Sequence, residues 1–243
     1  MHVQEDSPSQ SSSVIVQQVW KKSVFRLVGF LLFMGAALFL PAYSLTWTEG
    51  WWFMGVFAAC MVFNLVVLLK VNPELVQIRL GTERGAKPWD KMLAPAVVGL
   101  WVVGLVVTGL DYRFGWTPQT GSWPKVVGLA LFVVANLTVL WAMSVNKFFA
   151  EFVRIQTERG HAPVAAGPYQ YVRHPGYAGW ILMAVAGPLA LGSAWAAIPA
   201  ACSTALLVVR TGLEDRTLRQ ELPGYEDYTR RVRYRLVPWL WIT

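Results

Sequence analysis

Five long apolar stretches limit what this chain can fold into more than any other feature. Four lie at roughly 27 to 47, 51 to 69, 92 to 110 and 126 to 145. Each is close to the ~20 helical residues that cross the ~30 Å hydrocarbon core of a bilayer. The fifth, Ala178 to Val209, is 32 residues long. As one helix at ~1.5 Å per residue it would reach ~48 Å, too far for a single straight crossing. Gly187-Pro188 and Gly192-Ser193 interrupt it, so it reads as a helical hairpin that turns between residues 187 and 193. The expected fold is all-α: a polytopic integral membrane protein with four spans plus a C-terminal helical hairpin. Composition agrees. The chain is 55% hydrophobic and 14% charged, where soluble domains carry about 25% charged residues. A disordered chain, a collagen-like repeat and a disulfide scaffold are excluded.

The formal charge of +7 tests this topology. With both termini in the cytoplasm, 19 of the 21 Lys and Arg residues share one side, and only Arg113 and Lys125 lie opposite. Moving the tail after Val209 to the other side leaves a near-even split of 12 against 9. The positive-inside rule selects the hairpin, and anionic inner-leaflet lipid favours the basic side. Trp47, Trp51, Trp52, Trp116 and Trp123 fall near span ends, as interfacial anchors do.

Three regions follow. Residues 1–22 read as a disordered polar head, serine-rich and without the basic start of a signal peptide. Residues 23–145 carry the first spans, and residues 146–243 hold a loop, the hairpin and a basic, aromatic tail. Cys60 and Cys202 sit inside apolar stretches and read as small buried hydrophobes. With 3 histidines and 2 cysteines, no metal site is expected. Beside so many spans, the basic charge does not point to nucleic acid. No internal repeat, dinucleotide fingerprint or phosphate loop is present. Any nucleotide-like cofactor is left to loops and helix ends at the membrane surface.

Polar and turn-forming residues concentrate just before the hairpin. Gln156 to Val164 is followed by Gly167-Pro168-Tyr169 and by Arg173-His174-Pro175-Gly176-Tyr177-Ala178-Gly179. Pro175 suits the first turn of a helix. That places His174, Gly176 and Tyr177 at a helix N-terminus, whose free N–H groups suit a carboxylate or phosphate. Tyr169 and Tyr177 offer flat walls to a purine or a sulfonium. Singly, these residues read as interface anchors, a lipid-phosphate contact and a helix cap; together they read as a site. After the hairpin, Arg210 and Glu214 share a helix face, while Asp215 points elsewhere. Spacing alone equally allows an ordinary boundary salt bridge. The tail from Leu222 to Trp239 reads as a surface-lying helix that snorkels its arginines to lipid headgroups.

These motifs, with Tyr225-x-x-Tyr228 and Arg235-Leu236-Val237-Pro238, resemble the isoprenylcysteine carboxyl methyltransferase family and, in part, the phospholipid N-methyltransferases. The resemblance covers about residues 144 to 239. It implies S-adenosyl-L-methionine as methyl donor, bound on the cytosolic side of the C-terminal half and released as S-adenosyl-L-homocysteine. It implies a cofactor pocket of Gln156, His161, Ala162, Pro163, Val164, Tyr169, His174, Pro175, Gly176, Tyr177 and Glu214. It implies catalytic parts for Arg210, Glu214 and Arg173, with Arg210 facing the substrate. Asn146 with Phe148 resembles the family's Asn-Phe segment. The partners implied are membrane lipids and a lipophilic or small-molecule methyl acceptor. Two other readings are open: an NADPH-dependent membrane reductase of the sterol or steroid type, and a non-catalytic membrane scaffold.

Overall fold

The computed structural model describes residues 8–81, 85–118 and 121–239. Its helices are α1 (Pro8–Ala42), α2 (Thr48–Val71), α3 (Pro73–Leu80), α4 (Asp90–Phe114), α5 (Ser122–Val145), α6 (Pro175–Leu191), α7 (Ala197–Glu221) and α8 (Tyr225–Arg231). Five are long and apolar enough to span a membrane: α1 from Val19, α2, α4, α5 and α7. The shorter α6 lies between α5 and α7 and completes the expected hairpin, with its turn at residues 192–196. Phe25, Leu32, Leu40 and Met92 stay largely exposed. In hydrocarbon such faces need no protein cover.

Several expectations change. Of the expected polar head, residues 1–7 lie outside the described residues. From Pro8 onward the chain is helical, running unbroken into the first span. Trp47 is buried rather than interfacial. It stacks on Tyr112 at 4.5 Å, because α1 ends at Ala42 and the turn folds the indole inward. Trp51, Trp52, Trp116 and Trp123 do remain exposed. Cys60 is only half-buried and Cys202 is exposed. Their apolar neighbourhood in sequence is the lipid-facing surface, not a packed core.

Close helix packing fixes the bundle. A Cβ on Gly128 of α5 would sit 2.3 Å from the backbone nitrogen of Ala190 in α6, so the two helices approach at a contact only a small residue permits. The polar groups gather at the two ends. At one end Glu49 pairs with Lys125 at 2.7 Å. There Asp111 also accepts the Thr117 N–H at 2.7 Å and the Ser193 hydroxyl. At the other end Arg26 donates to the carbonyls of Arg79 and Leu80 at 3.0 and 2.9 Å, docking α1 on α3. Asn72 caps α3 and donates to the Met143 carbonyl at 2.9 Å. This second end carries the long 146–174 loop and α8.

Candidate active site

The loop that leads into α6 is built by local stops. A 3₁₀ turn at Thr157–Arg159 ends in left-handed Gly160. A second turn at Gly167–Gln170 begins with Gly167-Pro168. His174 then precedes α6, with Pro175 in its first turn, as the sequence predicts. The tail after α8 folds back onto this point. The N–H groups of Arg173 and His174 donate to the carbonyls of Tyr234 and Arg235, both at 2.9 Å.

Beneath that contact lies a buried ionic hub. The Asp215 carboxylate is fully buried and accepts from Arg173 at 2.8 and 3.1 Å. It also meets His174 Nε2 at 3.3 Å, the Tyr225 hydroxyl at 3.1 Å and Arg235 Nε at 3.0 Å. Arg173 donates further to the carbonyls of Val232 and Arg233 at 2.8 and 2.9 Å. Its guanidinium thus joins loop, α7 and tail, while Arg173 also lines the cleft in which a catalytic part is expected for it. The tail is not a surface-lying helix. Tyr225 and Tyr228 are buried, and the Tyr228 hydroxyl donates to the Tyr169 carbonyl at 2.7 Å. Burial first, then the nearby Asp215 and Glu214 carboxylates, raise the Tyr225 phenol above its usual range and keep it a donor.

Above the hub opens a cleft of about 890 Å³, open solvent at its mouth included. It brings together His161, Ala162, Pro163, Val164, Tyr169, Arg173, His174, Gly176, Tyr177, Arg210 and Glu214. Two expected residues do not reach its wall. Pro175 starts α6, and Gln156 is buried behind the loop. Gln156 donates to the Phe148 carbonyl at 2.8 Å and accepts from the Arg159 and Arg154 guanidiniums. These bonds shape the loop that carries His161, whose Nδ1 accepts the Gln156 N–H at 3.3 Å. Burial first, then Arg159 and Arg154, lower the His161 pKa to about 4, so its imidazole is neutral at pH 7.

Arg210 and Glu214 lie one turn apart on α7 and do face the same cleft. The Tyr177 hydroxyl donates to Glu214 Oε2, and the Arg210 guanidinium sits over the Tyr177 ring at 5.3 Å. Asn146 lines the cleft too, donating to the Tyr169 hydroxyl at 3.0 Å. The sequence offered no signal for Asp90, which is fully buried and pairs with Arg210 at 2.6 Å. An acid at the start of an apolar helix is too common a pattern to single out. Among the described residues, no group of His, Cys, Asp and Glu has the makings of a metal site.

The fold is similar to that of a solved structure, the eukaryotic intramembrane Ras methyltransferase ICMT (isoprenylcysteine carboxyl methyltransferase) without a monobody. The TM-score is 0.52 at 18% identity, over 97% of this chain and 88% of that one. Residues 127–220 match the model of the isoprenylcysteine carboxyl methyltransferase (ICMT) family. Over those residues the chain is similar to that family. The matched stretch runs from α5 through the Arg173-His174-Pro175 run to the end of α7, and it includes Arg210, Glu214 and Asp215. Asp90 and the folded-back tail lie outside it. Both matches carry the name of a carboxyl methyltransferase and neither is to a reductase, and the five long apolar helices are those of an integral membrane protein.

Proposed function

We propose that the protein transfers a methyl group from S-adenosylmethionine to the carboxylate of a lipophilic acceptor, of the prenylcysteine type or another lipid. The observation that carries this is the pairing of opposite charges in one cleft, with Glu214 and Arg210 one turn apart on the same wall. The residues present fit the donor. Glu214 and the Tyr177 ring suit a sulfonium, since carboxylates and aromatic faces both attract cations. The first N–H groups of α6, at Gly176 and Tyr177, precede its backbone ladder and suit a carboxylate. The 161–164 segment and Leu218 offer an apolar bed for a purine.

Arg210 suits an anionic acceptor oxygen. A carboxylate is already a nucleophile, so no general base is required. Holding the two reactants in line supplies a large part of the rate, and fixed charges do the rest. Trp180, one turn further along α6 than Tyr177, lines the same cleft, an apolar surface that suits a lipid tail. The basic end bears the cleft, and the positive-inside rule supports a cytosolic side for it and for both termini.

The test is a labelled methyl-donor assay on membranes, followed by mass spectrometry of the methylated product. S-adenosylhomocysteine should raise the melting temperature of the purified protein and NADPH should not. The reverse pattern overturns the reading.

A further inference from the structure

Asp90 stands 120 residues before Arg210, at the start of α4 and with no exposed side-chain surface. Its carboxylate takes Arg210 side-on: Nε donates to Oδ1 at 2.6 Å and Nη2 to Oδ2 at 2.8 Å. The second Nη2 hydrogen goes to the Glu151 carbonyl at 2.7 Å. A guanidinium has five N–H donors, so three are fixed. The two on Nη1 have no partner among the described residues, and Arg210 forms part of the cleft wall. Tyr177 covers one face of the same group. Asp90 is itself held, because Oδ2 also accepts the Val153 N–H at 2.6 Å.

The alternative partner for Arg210 is close. Glu214 is four residues on along the same helix, the spacing at which opposite charges pair. Among the described residues no ion pair joins them; Arg210 pairs with Asp90 instead. Were Arg210 released, it would turn onto Glu214, and the cleft would lose its negative and positive places together.

We infer that Asp90 is a positioning residue for methyl transfer: it aims the free Nη1 edge of Arg210 at an anionic oxygen of the acceptor and keeps Arg210 off Glu214. This rests on the proposed roles of Arg210 and Glu214. The test compares the unaltered protein with Asp90→Asn, Arg210→Gln and the double variant. It reads labelled-methyl transfer to N-acetyl-S-farnesylcysteine and the dissociation constant of S-adenosylhomocysteine. Asp90→Asn should raise the acceptor KM and weaken S-adenosylhomocysteine binding, each by about ten-fold, the scale of coupling between contacting charges. Adding Arg210→Gln should restore the S-adenosylhomocysteine affinity, because no cation remains to turn onto Glu214. A purely structural role for Asp90 predicts no such restoration. Should Asp90→Asn alone fail to fold, the other two variants carry the test: in the Arg210→Gln background the second change should leave turnover within about two-fold. A further ten-fold loss there, or no restoration of binding, overturns the inference while leaving the proposed function standing. Full activity of Arg210→Gln overturns the inference together with the proposed role of Arg210, and where the unaltered protein does not methylate this probe the restoration of S-adenosylhomocysteine affinity decides the inference.

Discussion

Replacing Asp215 by Asn removes the charge at the centre of the hub. The cost can be worked from its partners. Arg173 is fully buried with it, and breaking a buried pair from one side costs about 3–5 kcal/mol, because the remaining charge is left uncompensated. Two features pull towards the lower figure. Asn keeps one acceptor oxygen, and Arg173 retains the carbonyls of Val232 and Arg233. The expected loss is therefore about 3 kcal/mol. For a chain of this size that is a fall of about 6–12 °C in melting temperature, measured by tryptophan fluorescence during heating in detergent. The control is Asp227→Asn. Its pair with Arg230, at 3.6 Å, has both side chains exposed, and such pairs contribute about 0–1 kcal/mol. If the two variants melt together, Asp215 does not tie loop, helix and tail into one unit, and the account of the site's rigidity fails.

Three further outcomes are expected. Glu214→Ala should weaken stabilisation by S-adenosylhomocysteine, whereas Arg210→Ala should mainly lower turnover in the methyl-transfer assay; wild-type behaviour of both refutes the site. A Cβ on Gly176 would meet Phe149 ring carbons at 2.6 Å, about 1 Å inside an ordinary contact. Gly176→Ala should cost about 1–2 kcal/mol and push the ring into the cleft, reducing S-adenosylhomocysteine binding, while Gly187→Ala, which meets nothing within 4 Å, should leave both unchanged in calorimetry and thermal melts. The His161 pKa lies at about 4, below the ordinary ~6.5 of an unfolded chain. Between these values the unfolded chain binds more protons, so stability should fall as pH drops from about 6.5 towards 4. Melting temperature against pH should be flatter in His161→Asn, and parallel curves would contradict this.

The spans were legible because lipid selects residues by hydropathy over a fixed thickness. Their ends were less so. The apolar run that stops at Val209 continues as helix to Glu221, since backbone bonding does not require apolar side chains once polar ones face a cleft. The short α3 carried a readable cap and proline in Asn72-Pro73 but too few residues to stand out. Within the site, the local run from His161 to Tyr177 was readable because turn residues announce themselves. The structural tie of Arg173 was not readable because its partner, Asp215, lies 42 residues away. Asp90 was invisible for the same reason: an ion pair across 120 residues leaves no pattern along the chain.

The fold-back of the segment after α8 also sets an order of assembly during synthesis. Residues 173 and 174 leave the ribosome some 60 positions before the carbonyls they bond. Until residues 232 to 235 follow, Arg173 has neither its backbone acceptors nor the neighbouring Arg235 that shares Asp215. The loop before α6 and the Asp215 end of α7 therefore reach their final contacts only once this closing stretch has been made and folds back onto them.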